Sequence, residues 1–397
     1  MMSKRIFIVV RAFQENKGSY AGVIEEISKR LSKQYKITIL CAKTDVKERK
    51  YEKLSYAEVY RFKIWRQRIP LIGMNNDYLS LAKSVKIFFR NNPPKKEDII
   101  IANGRAALGV LNSTYILRMG QPAFTFLKNM EIAKSEVTIV TRVARAIHFT
   151  YQHFLENKCV KNASAFIVSS DESMQEIYKK YRINDKRYIL PHGGVKFYEF
   201  QSTKGQKKKE KNILFISAGT EKIRKGVVYL EKAIPEIFEK HKDVTLLHVG
   251  EKFEWNVPEW CKKRIIQKGR IPWEEMKNQY QNASLFINCA LNEWIPHTIF
   301  EAMCSGLPVV TSDIEGIKEL FIHKTDTFIY SRGDVKGIIT GVDYILNNPH
   351  VASNISKMAK LKVKSLDYDN YTKMLNDFLT NDKIIYSNVL LCDILKK

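Results

Sequence analysis

Long hydrophobic runs are missing from this 397-residue sequence: no segment reaches the roughly 20 consecutive apolar residues that a membrane-spanning helix needs. The opening MMSKRIFIVVRAF carries only a short apolar run before a charge. It reads as a first buried strand and is too short for a signal peptide. Paired cysteines are missing too. The six present (Cys41, Cys159, Cys261, Cys289, Cys304 and Cys392) are scattered, with no Cys-x-x-Cys pair and no histidine at metal-ligand spacing. That pattern speaks against a zinc site or a disulfide framework and for a reducing cytosol. No Gly-x-Gly-x-x-Gly follows the first strand, and no acidic residue is placed for an adenosine ribose, which argues against a nicotinamide dehydrogenase. Acidic residues are scarce: 42 aspartates and glutamates face 66 lysines and arginines, for a formal charge of +24. Such a field attracts nucleic acid, an anionic membrane surface or phosphorylated substrates, unless it is only the solvated face of a lysine-rich chain. The basic residues are spread along the chain with no aromatic-interleaved motif of a nucleic-acid module, so nucleic acid is not the expected partner.

What is present is an alternation of short β-rich runs and amphipathic helical stretches, the pattern of a parallel sheet wound with helices on both faces. RIFIVV (5–10), KITILCA (36–42), DIIIAN (98–103), AFTFL (123–127) and AFIVSS (165–170) read as buried strands of a first α/β unit ending near YILPHGGV (188–195). STKGQKKKEKN (202–212) is apolar-free and basic, as an exposed linker should be. ILFIS (213–217), VTLLHVG (244–250), SLFINCA (284–290) and LPVVTS (307–312) form a second unit. The expected division is a first domain over 1–203, a linker over 204–212, a second domain over 213–369 and C-terminal helices over 370–397. A place against the first domain is open to those last helices, NYTKMLNDFL (370–379) and KIIYSNVLLCDIL (383–395). Ligands of open α/β sheets bind at the carboxyl ends of the strands, which puts the expected site in a cleft between the two domains.

The most informative segment is NEWIPHTIFEAMCSGLPVVTSDIEGIKEL (292–320). SLFINCA is a strand, NEWIP a loop, and HTIFEAMCSG a helix starting near Pro296 or His297 and stopped at Gly306. A loop feeding a helix N-terminus presents free N–H groups and a positive dipole end, which suits a diphosphate. Glu301, one turn into the helix, can accept two hydrogen bonds from a ribose diol. Glu293, in the loop, can take a sugar hydroxyl.

Glu293 and Glu301 enclose seven residues, and with the flanking EAMCSGLPVV and the following Gly316-x-x-Glu319 they resemble the donor site of retaining glycosyltransferases of family 4. The resemblance implies the GT-B fold, an α/β architecture of two Rossmann-like, doubly wound domains facing across a cleft. It implies transfer from a nucleoside diphosphate sugar of UDP or GDP type to a hydroxyl of a glycan or lipid-linked glycan, with retention, without metal and without a cofactor. SAGTEKIRKGVVYLEKAI (217–234) looks like the family's phosphate-binding strand, loop and helix. There Lys225 and Gly226 would meet the diphosphate with Arg224 beside them, although Gly219 and Thr220 stand where the family often has an arginine. In the same way His297, Thr298, Ile299 and Pro296 would line the donor, Gly250 would lie beside the base, and Arg270 and Ile271 would read it through their backbone. Gly18 matches the first glycine of the family's N-terminal loop, and Ser19 replaces the second.

Two departures concern the first domain. The family's histidine near the transferred sugar is replaced by Lys128 and Asn129, the acceptor-side candidates, with His148 and His153 further on. The usual Pro-Asn-Gly-Val-Asp appears as Pro-His-Gly-Gly-Val-Lys, which leaves His192 without a role. Asp367-Tyr368-Asp369 has the spelling of a metal-binding Asp-x-Asp, but it precedes a helical stretch where an aspartate is a common cap. A non-catalytic nucleotide- or carbohydrate-binding homologue, and a basic nucleic-acid-binding α/β protein, stay open as other readings. The expected setting is polysaccharide or cell-envelope biosynthesis in the cytoplasm, peripherally on an anionic membrane face.

Overall fold

The computed structural model describes residues 4–15, 20–65, 73–120, 122–184, 186–191, 194–201, 211–217, 222–293 and 297–381. Chain contacts divide it into two compact units. One comprises 1–127, 138–193 and 368–397, the other 128–137 and 194–367.

The first unit opens with β1 (Arg5–Val9), α1 (Tyr20–Leu31), β2 (Lys36–Ala42), β3 (Tyr51–Lys53) and β4 (Glu58–Phe62). Then come α2 (Gly73–Asn91), β5 (Ile99–Asn103), β6 (Ile116–Arg118) and α3 (Ala123–Met130). It continues through α4 (Ile139–Asn162), β7 (Ala165–Ile167), α5 (Asp171–Tyr181) and β8 (Arg187–Ile189). The strands form one sheet in the order β3-β4-β2-β1-β5-β6-β7-β8, parallel except for the outer β3–β4 pair. Runs such as IFIV and ITILCA are buried on both faces, as a parallel sheet covered by helices requires. One face packs on α2 and the second half of α4 through Leu81, Val85, Leu155 and Val160. The other packs on α1 through Val23, Ile24 and Ile27.

The second unit runs α6 (Phe197–Phe200), β9 (Lys211–Ser217), α7 (Val227–Lys240), β10 (Val244–Gly250), α8 (Glu259–Lys262) and β11 (Ile265–Gly269). It goes on with α9 (Trp273–Asn282), β12 (Leu285–Asn288), α10 (His297–Cys304), β13 (Val309–Ser312), α11 (Ile317–Leu320) and β14 (Phe328–Tyr330). Helices α12 (Val335–Asn347) and α13 (Pro349–Lys364) complete it. Its six strands are all parallel, in the order β11-β10-β9-β12-β13-β14. The chain winds outward from β9 to β11, then resumes on the other side with β12. The winding therefore reverses between β9 and β12.

The last helix among the described residues, α14 (Tyr368–Thr380), returns to the first unit. Tyr371, Leu375 and Phe378 join the core beneath α1, and Arg187 reaches the Phe378 carbonyl at 3.2 Å. Within the Asp-x-Asp spelling, the Asp369 carboxylate accepts from Arg30 at 2.6 Å, and Asp367 forms a backbone bridge with Val195.

Three sequence expectations are corrected. AFTFL (123–127) is helical, not a strand: it is the start of α3. A five-residue apolar run fits either element, and here Pro122 opens a helix whose first amide, on Ala123, donates to the buried Glu156 carboxylate at 2.9 Å. The strand of that region is the short β6 before it. Strand β9 begins at Lys211, inside the stretch taken as linker. Residues 194–201 and 128–137 pack with the second unit, although the sequence division placed them in the first domain. The rest of the expected linker and the 383–395 helix lie outside the described residues.

Candidate active site

The reversal between β9 and β12 is where an open parallel sheet leaves a crevice beyond its carboxyl edge. Two loops of the second unit leave from it. The one after β9 carries Arg224 and Lys225, and the one after β12 carries Asn292 and Glu293. They are joined by backbone: the Leu291 amide donates to the Arg224 carbonyl at 2.9 Å. Gly226, the residue before α7, has φ +67°, and a Cβ there would lie 1.7 Å from the Cys289 carbonyl oxygen. Only glycine admits this approach of the two loops. The second loop is further pinned from β13 and β14: the Ser312 hydroxyl donates to the Ala290 carbonyl at 2.6 Å, and Tyr330 to the Asn288 carbonyl at 3.0 Å.

The side chains converge on one carboxylate. Oε1 of Glu293 accepts from the Lys225 ammonium and lies 3.4 Å from the Arg224 guanidinium, which also reaches the Asn292 carbonyl at 3.4 Å. The other oxygen, Oε2, is buried and has no protein partner. Two cations against one anion leave a net positive site with one unused acceptor. Such an arrangement is chemically able to hold a diphosphate and to orient a hydroxyl beside it.

Glu301 faces a different neighbourhood, one turn into α10. Its Oε2 accepts from the Tyr280 hydroxyl at 2.7 Å. Burial pushes the carboxyl up to about 7, against the pull of that hydrogen bond and of Lys196. At the start of α10 the His297 ring nitrogen Nδ1 lies 3.0 Å from the Gly194 carbonyl. Thr298 is half-buried, and Ile299 is fully buried in the core, so only its backbone is available to a ligand. Gly250 ends β10 with φ +131°, where a Cβ would lie 1.8 Å from the Ser217 carbonyl oxygen. Arg270 is exposed, 3.8 Å from Glu251, and Ile271 is half-buried beside it. Gly18, Pro296, His192, Gly219 and Thr220 lie outside the described residues.

The acceptor-side candidates are placed differently from the sequence expectation. Lys128 and Asn129 do not follow a strand; they form the last turn of α3 and pack with the second unit. The buried Asn129 amide donates to Asn292 at 2.8 Å and to Glu315 at 2.6 Å, and Arg332 lies 3.4 Å from the same Glu315 oxygen. Asn129 thus positions the Glu293 loop through the neighbouring Asn292. Lys128 is exposed. The sequence reading missed Asn292, Glu315, Arg332 and Tyr280. An asparagine after a strand reads as a turn residue, and nothing local marks a tyrosine inside α9 as the partner of a glutamate in α10.

Residues 199–362 match the family described as Glycosyl transferases group 1. An uncharacterized glycosyltransferase of Methanocaldococcus jannaschii is 26% identical over 239 residues, 56% of this chain, and the match spans 61% of that relative's length. Among solved structures, sucrose-phosphate synthase from Thermosynechococcus elongatus aligns over 95% of this chain and 98% of its own, with TM-score 0.76 and 14% identity. Anabaena HepE in complex with UDP-glucose aligns over 95% and 99%, with TM-score 0.64 and 13% identity. At such identities the likeness shows the fold, GT-B with two parallel-sheet domains.

Proposed function

We propose that this chain, whose residues 199–362 match the glycosyl transferases group 1 family and whose fold is GT-B, moves a glycosyl unit from a nucleoside diphosphate sugar to a hydroxyl acceptor with retention of configuration. One observation carries the reading: Lys225 and Arg224 after β9, and Glu293 after β12, meet at the point where the winding of the second sheet reverses. Lys225 and Arg224 stabilise the departing diphosphate, a task for which they need no resident metal and no cofactor. Glu293 Oε2 takes a hydroxyl of the transferred sugar, and Glu301 takes the ribose diol. The leaving phosphate receives the acceptor's proton on the face from which it departs. A uridine nucleotide is favoured by the similar fold of HepE, solved with UDP-glucose. The acceptor is a glycan or a lipid-linked glycan.

Thermal shift against UDP, GDP and their sugars tests donor binding, with a rise in melting temperature expected for one base class. Lys225→Ala should lower transfer about 100- to 1,000-fold, the usual effect of removing one preorganised donor from a developing oxyanion. Glu301→Ala should abolish nucleotide binding while the protein stays folded. Wild-type rates in the first variant, or an unchanged thermal shift in the second, would overturn the assignment.

A further inference from the structure

Helix α4 wears its apolar face on the outside. Ile139, Val140, Val143, Ile147 and Phe154 are 75%, 78%, 54%, 55% and 54% exposed. At 100° per residue they fall within one band of the helix surface, with Thr150 among them. All the buried residues of α4 lie in its second half, from Gln152 to Val160. The cause is length. Twenty-four helical residues extend about 36 Å, whereas the neighbouring strands β6 and β7 have three residues each, about 10 Å. The C-terminus of α4 feeds the start of β7, so the first half of the helix must run past the carboxyl edge of the first sheet. That is the ligand-binding edge of such a sheet.

The exposed charges of α4 itself have one sign. From Thr138 to Asn162 the chain carries Arg142, Arg145, Lys158 and Lys161, and its single acid, Glu156, is buried. Lys158 folds over the Phe154 ring at 4.8 Å, keeping its ammonium at the rim of the apolar band. Arg145 points away from the band and has one guanidinium nitrogen buried, so the exposed cations beside it are Arg142, Lys158 and Lys161. An exposed aliphatic and aromatic band whose own helix adds only exposed cations is complementary to a surface with an apolar interior and anionic head groups. No helix among the described residues is long and apolar enough to cross a membrane.

We propose that the α4 band seats the first unit on an anionic lipid surface, with Ile139, Val143, Ile147 and Phe154 entering the acyl boundary and Arg142 and Lys158 meeting lipid phosphates. The proposal stands apart from the donor-site reading, since none of these residues belongs to that site. It would hold the carboxyl edge of the first sheet close to any lipid-linked hydroxyl.

The test is co-sedimentation of the full chain with vesicles of phosphatidylcholine alone and of phosphatidylcholine mixed with phosphatidylglycerol, at low and moderate salt. Wild type should bind the mixed vesicles and not the neutral ones. The triple variant Ile139→Ser, Val143→Ser, Ile147→Ser keeps the net charge and touches no buried residue. It should bind mixed vesicles about tenfold or more weakly at moderate salt, where general attraction to a basic protein is screened. Equal binding by the variant would overturn the proposal, as would no binding by wild type. A wild-type dimer in vesicle-free solution that the variant abolishes would assign the band to a second copy of the chain instead, and would also overturn it. Donor binding in the thermal-shift assay should be unchanged in the variant, which separates this outcome from any failure of the glycosyltransferase reading.

Discussion

At the residue scale the two glutamates flagged by their spacing turn out to be chemically unlike. Glu293 is held by two cations, whereas Glu301 is enclosed with a tyrosine, and burial raises its carboxyl from 4.5 to about 7. A carboxyl that binds its proton more tightly in the folded state contributes stability that is full below pH 4.5 and is lost as the pH rises through about 7. Glu301→Gln should therefore flatten the loss of ligand-free stability between pH about 5 and about 8, measured by urea midpoints. An equal loss in the variant would remove Glu301 as its source. On the proposed ribose contact, the diol donates to the ionised form, so nucleotide affinity of the wild type should rise over the same interval. Gly226→Ala makes a separate point. The added methyl would meet the Cys289 carbonyl at 1.7 Å on a residue with φ +67°, so a cost above about 2 kcal/mol is expected in denaturant melts. An unchanged midpoint would mean that the two site loops are not packed this closely.

At the element scale the site depends on a segment distant in sequence. Asn129, at the end of α3, holds Asn292 and Glu315 together. Asn129→Ala should cost about 1–3 kcal/mol, because it removes a buried donor from two acceptors. In a double-mutant cycle with Asn292→Ala the two effects should be non-additive, and additive effects would deny the coupling. The same helix shows where sequence reading stops. The long strands β1, β2, β5, β9 and β10 were legible because burial on both faces demands an uninterrupted apolar run. The loop-to-helix step at α10 was legible because Gly306 and the SGLPVV that follows punctuate it. Strands β3, β4 and β6 were not, since YEK, EVYRF and ILR are short and carry charge. AFTFL misled because its helical state depends on Pro122 and on Glu156, a residue 33 positions away from the amide it caps. Arg224, Lys225, Gly226 and Glu293 were singled out because their segments resemble a known strand-loop-helix pattern, and the second sheet brings Arg224, Lys225 and Glu293 together. Asn129, Tyr280 and Arg332 act through tertiary contacts that no local pattern records.

At the scale of the whole molecule, α14 contributes to the first unit what that unit's own continuous chain does not. A protein ended after Asp367 would uncover Ile24, Ile27 and Tyr35 beneath Tyr371, Leu375 and Phe378. It should lose the cooperative melting of the first unit while the second, complete over 128–137 and 194–367, still responds to nucleotide in a thermal shift. Retained melting of both units would show that α14 is dispensable. The return of the last helix also bears on how the protein is made. A ribosome delivers residues in order, and the face of α1 that α14 covers has to wait until the second unit has been synthesised. The unit whose synthesis begins first is therefore one whose core closes late, and through that interval the apolar face of α1 stands uncovered.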